Sequence, residues 1–316
     1  MSTASSSTTA LTPVRGTTVR SQGLTVSRMS DYAELVKPRI SVMVLLTVAV
    51  GYTLGSRGVW NFATLWPALV GIALVAFGSS ALNQVLECDT DARMRRTASR
   101  PLPSGRMTIT EAFWFGVGSA TVGVLLLATL VNITTAVLSV LTLALYVGAY
   151  TPLKRSTSLS TAVGAIPGAL PPVLGWTAAG GHLSAEAFSL FAVMFLWQFP
   201  HFLAIAWLYQ DDYAQAGLKM LPAAVQDRGA RRIAGCLALA YALALLPTSL
   251  LPAELGLTGS TFSVVATALG LMYVAAAIQF LHHESTQTAR RLLWVSLVYL
   301  PVWLLALVVD HWQMLR

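Results

Sequence analysis

Apolar runs long enough to cross a bilayer recur along most of this chain, and no other feature restricts its fold as strongly. A transmembrane helix needs about 20 mainly apolar residues to span a hydrocarbon core of about 30 Å. Such runs lie at about 40–56, 62–86, 111–131, 133–150, 161–180, 186–209, 233–252, 261–281 and 291–309. Only 10% of the 316 residues are Asp, Glu, Lys or Arg, against about 25% in soluble domains. The expectation is an all-α polytopic membrane protein with about nine transmembrane helices, because helices satisfy their own backbone polar groups in lipid.

The charges test that assignment. With nine spans, the N-terminal segment and the loops after the second, fourth, sixth and eighth runs share one side. They carry eighteen of the twenty Lys and Arg, and the other side has only Arg57 and Arg316. Cytoplasmic loops collect Lys and Arg, so the N-terminus is expected in the cytoplasm and the C-terminus outside. The formal net charge of +7 then reflects orientation against anionic headgroups, not nucleic acid. Cys88 and Cys236 have neither CxxC nor metal-ligand spacing and are expected to be reduced thiols. Residues 1–30 hold no Asp or Glu and are rich in Ser and Thr. They are expected to form a disordered cytoplasmic tail, leaving 31–316 as a single transmembrane domain. The same composition suits a mitochondrial transit peptide. The mitochondrial inner membrane therefore stays open beside the expected bacterial plasma membrane.

Chemistry concentrates where the second run ends. Asn83, Glu87 and Asp91 are spaced i, i+4 and i+8, so a continued helix puts three oxygen donors on one face. Carboxylates at a membrane helix end are costly unless solvated, paired or metal-bound. Mg²⁺ prefers oxygen ligands shared with phosphates, so a diphosphate substrate fits, and a charged helix end with Glu87 pairing Arg95 or Arg96 fits as well. Arg93, Arg95, Arg96, Arg100 and Arg106 follow at once, suited either to phosphate contacts or simply to the inner leaflet. A second acidic pair, Asp211-Asp212, sits four spans later on the same side. Adjacent carboxylates repel, which calls for a second Mg²⁺ or for Lys219 as a partner. His201, beside Trp197 and Pro200 inside the sixth run, is ionisable at depth and is expected to face the same cavity. Pro167, Pro171 and Pro172 interrupt the fifth run, either kinking it or lining a cavity.

The run Asn83-x-x-x-Glu87-x-Asp89-x-Asp91, then Arg96-Thr97 and Arg100-Pro101-Leu102-Pro103-Ser104-Gly105, resembles the protoheme IX farnesyltransferase family of UbiA-type intramembrane prenyltransferases. Agreement continues through Lys37-Pro38-Arg39, Tyr150-Thr151-Pro152-Leu153-Lys154-Arg155, Gly168 to Trp176, and Trp197-Gln198-Phe199-Pro200-His201-Phe202, covering about residues 32–309. The resemblance implies a UbiA-type helical bundle that transfers the farnesyl group of farnesyl diphosphate to a vinyl group of heme b. The products would be heme O and diphosphate, on the route to heme A for terminal oxidases. It implies Mg²⁺ held by Asn83, Glu87, Asp91, Asp211 and Asp212, and diphosphate contacts from Arg96, Arg100, Lys154, Arg155 and Lys219. His201 and Trp197 would contact the heme, and a heme A synthase or terminal oxidase assembly would be the partner. The second acidic motif departs from the superfamily's D-x-x-x-D, since Gln215 and Ala216 stand four residues after Asp211 and Asp212. A prenyltransferase acting on a quinone or chlorophyll precursor shares these acidic clusters, and a transporter shares the spans and buried polar groups.

Overall fold

The computed structural model describes residues 28–219, 221 and 228–316. The tail expected at 1–30 lies outside the described residues except for Arg28, Met29 and Ser30, which open helix α1 (Arg28–Val36). The other helices are α2 (Pro38–Gly55), α3 (Phe62–Asp91), α4 (Ile109–Leu130) and α5 (Ile133–Leu153). After them come α6 (Ser160–Ala169), α7 (Pro171–Ala178), α8 (Ala185–Leu208) and the short α9 (Gln210–Gln215). The chain ends with α10 (Arg228–Thr248), a single turn of helix at Leu251–Glu254, α11 (Ser260–His282) and α12 (Thr286–Met314). No strand occurs among the described residues.

Among the described residues eight helical segments are long and apolar enough to cross a membrane. The run at 161–180 is the exception: it forms the ten-residue α6 and the eight-residue α7, which meet at Leu170-Pro171. Pro171 and Pro172 carry no backbone N–H, so the helical ladder cannot pass through them. The break lets each half choose its own neighbour, α6 against α8 and α7 against α2.

Small residues set how closely these helices approach, as expected where lipid offers no hydrophobic drive. On α2 and α7 the backbones touch: a Cβ on Gly51 would overlap the Pro172 carbonyl, and one on Gly175 would overlap that of Val48. Gly71 and Gly78 of α3 mesh with Gly123 and Gly116 of α4 in the same way.

One end of the bundle gathers α1, the C-termini of α3, α5 and α8, and α9. At the other end Trp60 meets Trp312 edge-on at 6.3 Å, Asn132 Nδ2 donates to the Thr177 carbonyl at 2.8 Å, and Gly58 lies against Leu315. Arg57 and Arg316 belong to that second end, so among the described residues the sorting of charge expected from the loops is a sorting between the two ends of the bundle. Gly175→Ala should lower thermal stability in detergent by about 1–3 kcal/mol through overpacking. Gly118→Ala, on α4 with no neighbour within 4 Å of the added carbon, should leave the midpoint unchanged or slightly raised.

Candidate active site

α3 continues past its apolar stretch as one helix to Asp91, and Asn83, Glu87 and Asp91 do share a face. They line a pocket of about 110 Å³ at the basic end of the bundle. Neither Arg95 nor Arg96 neutralises Glu87. Its partner is Lys154, reaching across from the end of α5 with Nζ 2.8 Å from Oε1. Asp91, 1% exposed, pairs with Arg100 at 2.6 Å. Asn83 Nδ2 donates to Thr151 Oγ1 at 2.9 Å, and Lys37 Nζ approaches Asn83 Oδ1 at 3.5 Å.

The loop from Ala92 to Met107 folds over the pocket because its ends are tied down. Thr97 Oγ1 donates to the Asp91 carbonyl at 2.9 Å, and Arg106 bridges Asp31 at 3.0 Å and Glu34 at 2.6 Å, both on α1. α1 is itself held to α4 by Arg28 and Tyr32 on Glu111, at 2.9 and 2.8 Å. It is held to α3 by Ser80 and Gln84, which both donate to the Leu35 carbonyl at 2.8 Å. The chain then turns through Lys37 in the left-handed region, φ 50°, before Pro38 starts α2. A non-glycine residue held there is strained, and such strain clusters at ligand sites. Here it delivers the Lys37 ammonium to the pocket. Burial, and then the charges of Arg100 and Lys154, push Lys37 down to about 8. For Lys154 burial acts in the same downward direction, but Tyr150, Glu87 and Tyr146 outweigh it and hold the proton more tightly than usual.

Of the five basic residues expected at a diphosphate, Arg96, Arg100 and Lys154 line the pocket. Arg155 instead donates to the Leu86 carbonyl at 2.9 Å, and Lys219 meets the site only through its backbone N–H on the Lys154 carbonyl at 2.9 Å. Asp211 and Asp212 sit on α9 but do not line the pocket, whose wall on that side is made by Tyr213 and Leu218. The Arg96 guanidinium ties this side to the first cluster, 4.8 Å from the Tyr209 ring and 6.0 Å from that of Tyr213. Lys37, Thr97, Tyr146 and Tyr150 line the pocket without having been expected there. The Lys37-Pro38 pair, Thr97 and Tyr150 were visible within motifs but carried no assigned role. Tyr146 was not distinguishable from span residues, because what aims it, like Tyr150, is a π-helical stretch at Ala144–Tyr150. Such bulges are frequent at functional sites.

Beneath the polar pocket lies an apolar cavity of about 380 Å³, and the two share Lys37, Tyr146 and Tyr150. Gly164 and Gly168 of α6 line it. A Cβ on the first would strike the Tyr150 ring, and one on the second the Gln198 amide. On α8 it is Gln198 and Phe202 that face this cavity. His201 and Trp197 do not share that face, contrary to expectation. Their rings stack at 4.9 Å, His201 Nδ1 lies 2.8 Å from Ser296 Oγ, and Trp197 Nε1 donates to the Ser296 carbonyl. The i, i+4 pair 198/202 and the pair 197/201 are offset by one residue, or about 100° around the helix, which turns the second pair toward α12.

Among the described residues no three Asp, Glu, His or Cys side chains gather closely enough to cage a metal. The charged residues of the pocket wall are Lys37, Arg96, Arg100 and Lys154 against Glu87 and Asp91, an excess of two positive charges. Such a pocket suits an anion, with Mg²⁺ arriving on it: this ion is commonly bound through one or two carboxylates plus substrate phosphates. Lys37→Met should weaken binding of inorganic diphosphate in the presence of Mg²⁺ by about tenfold, the scale of one hydrogen bond to a charged group. Arg155→Gln should change it less than about twofold, since its side chain lies outside the pocket wall. Titration calorimetry in detergent reads both.

The family model described as UbiA prenyltransferase family matches residues 44–310. The chain is 44% identical over 283 residues to the protoheme IX farnesyltransferase of Solibacter usitatus (strain Ellin6076), covering 87% of this chain and 96% of that one. It is 43% identical over 286 residues to the protoheme IX farnesyltransferase of Opitutus terrae, covering 90% and 96%. Among solved structures it resembles a UbiA homolog from Archaeoglobus fulgidus bound to GPP and Mg²⁺, with a TM-score of 0.62, 18% identity, and coverage of 88% and 99%. This chain belongs to the UbiA prenyltransferase family.

Proposed function

We propose that this integral membrane protein transfers the farnesyl group of farnesyl diphosphate to a vinyl group of heme b, forming heme O and releasing diphosphate. The observation that carries the reading is the joining of two compartments, a basic pocket with three aligned oxygen donors and an apolar cavity, through Lys37, Tyr146 and Tyr150. A prenyl diphosphate is a molecule with those two halves. The choice of farnesyl and heme follows the names of the relatives, which are 44% and 43% identical over most of their length.

Asn83, Glu87 and Asp91 would hold Mg²⁺ against the diphosphate, with Asp211 and Asp212, on the neighbouring α9, as the second set of metal ligands. Bound Mg²⁺ supplies positive charge that stabilises the departing diphosphate. Arg96, Arg100 and Lys37 meet phosphate oxygens as charge moves onto them, an electrostatic effect that is strongest where the donors are fixed beforehand. Arg155 and Lys219 support this group from the loops. Lys154 holds the Glu87 carboxylate in place. The apolar walls keep water from the allylic carbon as its bond to oxygen weakens, and a single water must be admitted later for the product hydroxyl. The outer vinyl carbon forms the new bond to that carbon with the vinyl π electrons as diphosphate leaves with the electrons of its own bond; the inner vinyl carbon, left cationic, takes up the water, which gives up one proton to become the product hydroxyl.

The basic end of the bundle faces the cytoplasm by the positive-inside rule, in the plasma membrane of a bacterium, with the C-terminus outside. His201 and Trp197 are proposed as heme contacts from the seam between α8 and α12. A heme A synthase or terminal oxidase assembly is proposed to take the product. Incubating the purified protein with heme b, farnesyl diphosphate and Mg²⁺ should give a heme heavier by the farnesyl group and one hydroxyl. Glu87→Gln and Asp91→Asn should each reduce that product by about 10²-fold or more, and chelation should abolish it. Transfer to a quinone precursor but not to heme would sink the acceptor assignment. His201→Ala should lose heme binding while keeping farnesyl diphosphate binding, and unchanged heme affinity would remove His201 from the site.

A further inference from the structure

The apolar cavity has a mouth and a floor. Lys37, Tyr146 and Tyr150 lie at the mouth, while Ile72, Ser139 and Leu174 are far from it along α3, α5 and α7. Ile72 precedes Asn83 on α3 by eleven residues, so it lies about 16 Å further along the helix axis. That is about half the thickness of a ~30 Å hydrocarbon core. Below this level the space is filled: Val48, Leu127 and Ala136, each no more than 4% exposed, pack with Ile72 and Leu174 into one cluster. Ser139 is 1% exposed and its Oγ has no hydrogen-bond partner. Ser79 and Thr142, which also line the cavity, each bond to a carbonyl one turn back on their own helix. The small Ser139 side chain leaves floor space that a larger residue would occupy.

The geometry points to Ile72, Ser139 and Leu174 as the residues that set the length of the isoprenoid chain, by closing the cavity at a depth that takes fifteen carbons and not twenty. This inference rests on the prenyl transfer proposed above and goes beyond it, since it assigns selectivity to named side chains remote from the diphosphate. A competing route for a longer tail runs sideways near the mouth, beside Ile40, which is 62% exposed.

The test compares geranyl, farnesyl and geranylgeranyl diphosphates on the full-length protein with heme b and Mg²⁺, as ratios of kcat/KM within each variant. Such ratios do not depend on how much of a variant is folded. The parent should favour farnesyl over geranylgeranyl by at least about tenfold, since even one methylene in an apolar pocket discriminates about 10- to 200-fold. Ile72→Ala should raise the geranylgeranyl-to-farnesyl ratio by about tenfold, and Leu174→Ala should move it the same way. Ser139→Phe should raise the geranyl-to-farnesyl ratio by a similar factor. Unchanged ratios in all three variants, or a parent that takes twenty carbons as readily as fifteen, would overturn the assignment. If the parent transfers no prenyl group to heme, the proposed function fails. The floor is then judged by the same ratios of affinity, measured by competition among the three diphosphates without acceptor.

Discussion

Two partly buried ion pairs, Glu87 with Lys154 and Asp91 with Arg100, are the condition on which the basic end of this bundle rests. Ionised groups at a membrane helix end are expensive when unpaired, and removing one partner of a buried pair typically costs about 3–5 kcal/mol because the other charge is stranded. Each pair joins elements distant in the chain, α3 with α5 and α3 with the loop after it. Neutralising the carboxylates therefore also fixes the distance between helix ends. The wall still carries two more positive charges than negative ones. That surplus is tolerable at the interface and becomes an asset when a diphosphate arrives, because the donors are in position before the charge is.

The same logic explains why α1 matters although it lies outside the spans. Its carbonyl at Leu35 satisfies Ser80 and Gln84 on α3, its acids take Arg106, and Arg28 and Tyr32 anchor it to Glu111. These contacts over-determine the turn at Lys37, which is what a strained left-handed residue requires. Without them the lysine would relax away from Arg100 and Lys154, both of which repel it. Strain at Lys37 is thus maintained by hydrogen bonds and ion pairs one to two turns earlier.

Much of this was legible in the sequence, for identifiable reasons. Apolar runs and loop charges obey one-dimensional rules, so the helices and the gathering of bases at one end followed directly. The alignment of Asn83, Glu87 and Asp91 needed only helical periodicity. What failed needed three dimensions. The prolines of the fifth run announced the interruption, and Pro167 and Pro171 do line the apolar cavity, but they did not announce that the two halves would be too short to count as a span. Arg155 looked equivalent to Lys154, yet adjacent residues on a helical end point in different directions, and one reaches Glu87 while the other reaches the Leu86 carbonyl. His201 and Trp197 share a polar neighbourhood with Gln198 in sequence but not in space. Tyr146 was invisible because a π-helical stretch, not a residue type, turns it to the pocket, and Tyr150 stood in a motif without a role for the same reason.

The break between α6 and α7 also ties the fold to the cavity. A continuous helix at 160–178 would carry one axis past both α8 and α2. Two short helices allow α6 to press Gly164 and Gly168 against Tyr150 and Gln198 while α7 lies backbone to backbone on α2. The upper half therefore shapes the cavity near its mouth, and the lower half, through Leu174, helps to seal it. Close glycine contact on α7 fixes Leu174 at a definite depth, so the packing that stabilises the bundle and the packing that bounds the cavity involve the same few residues.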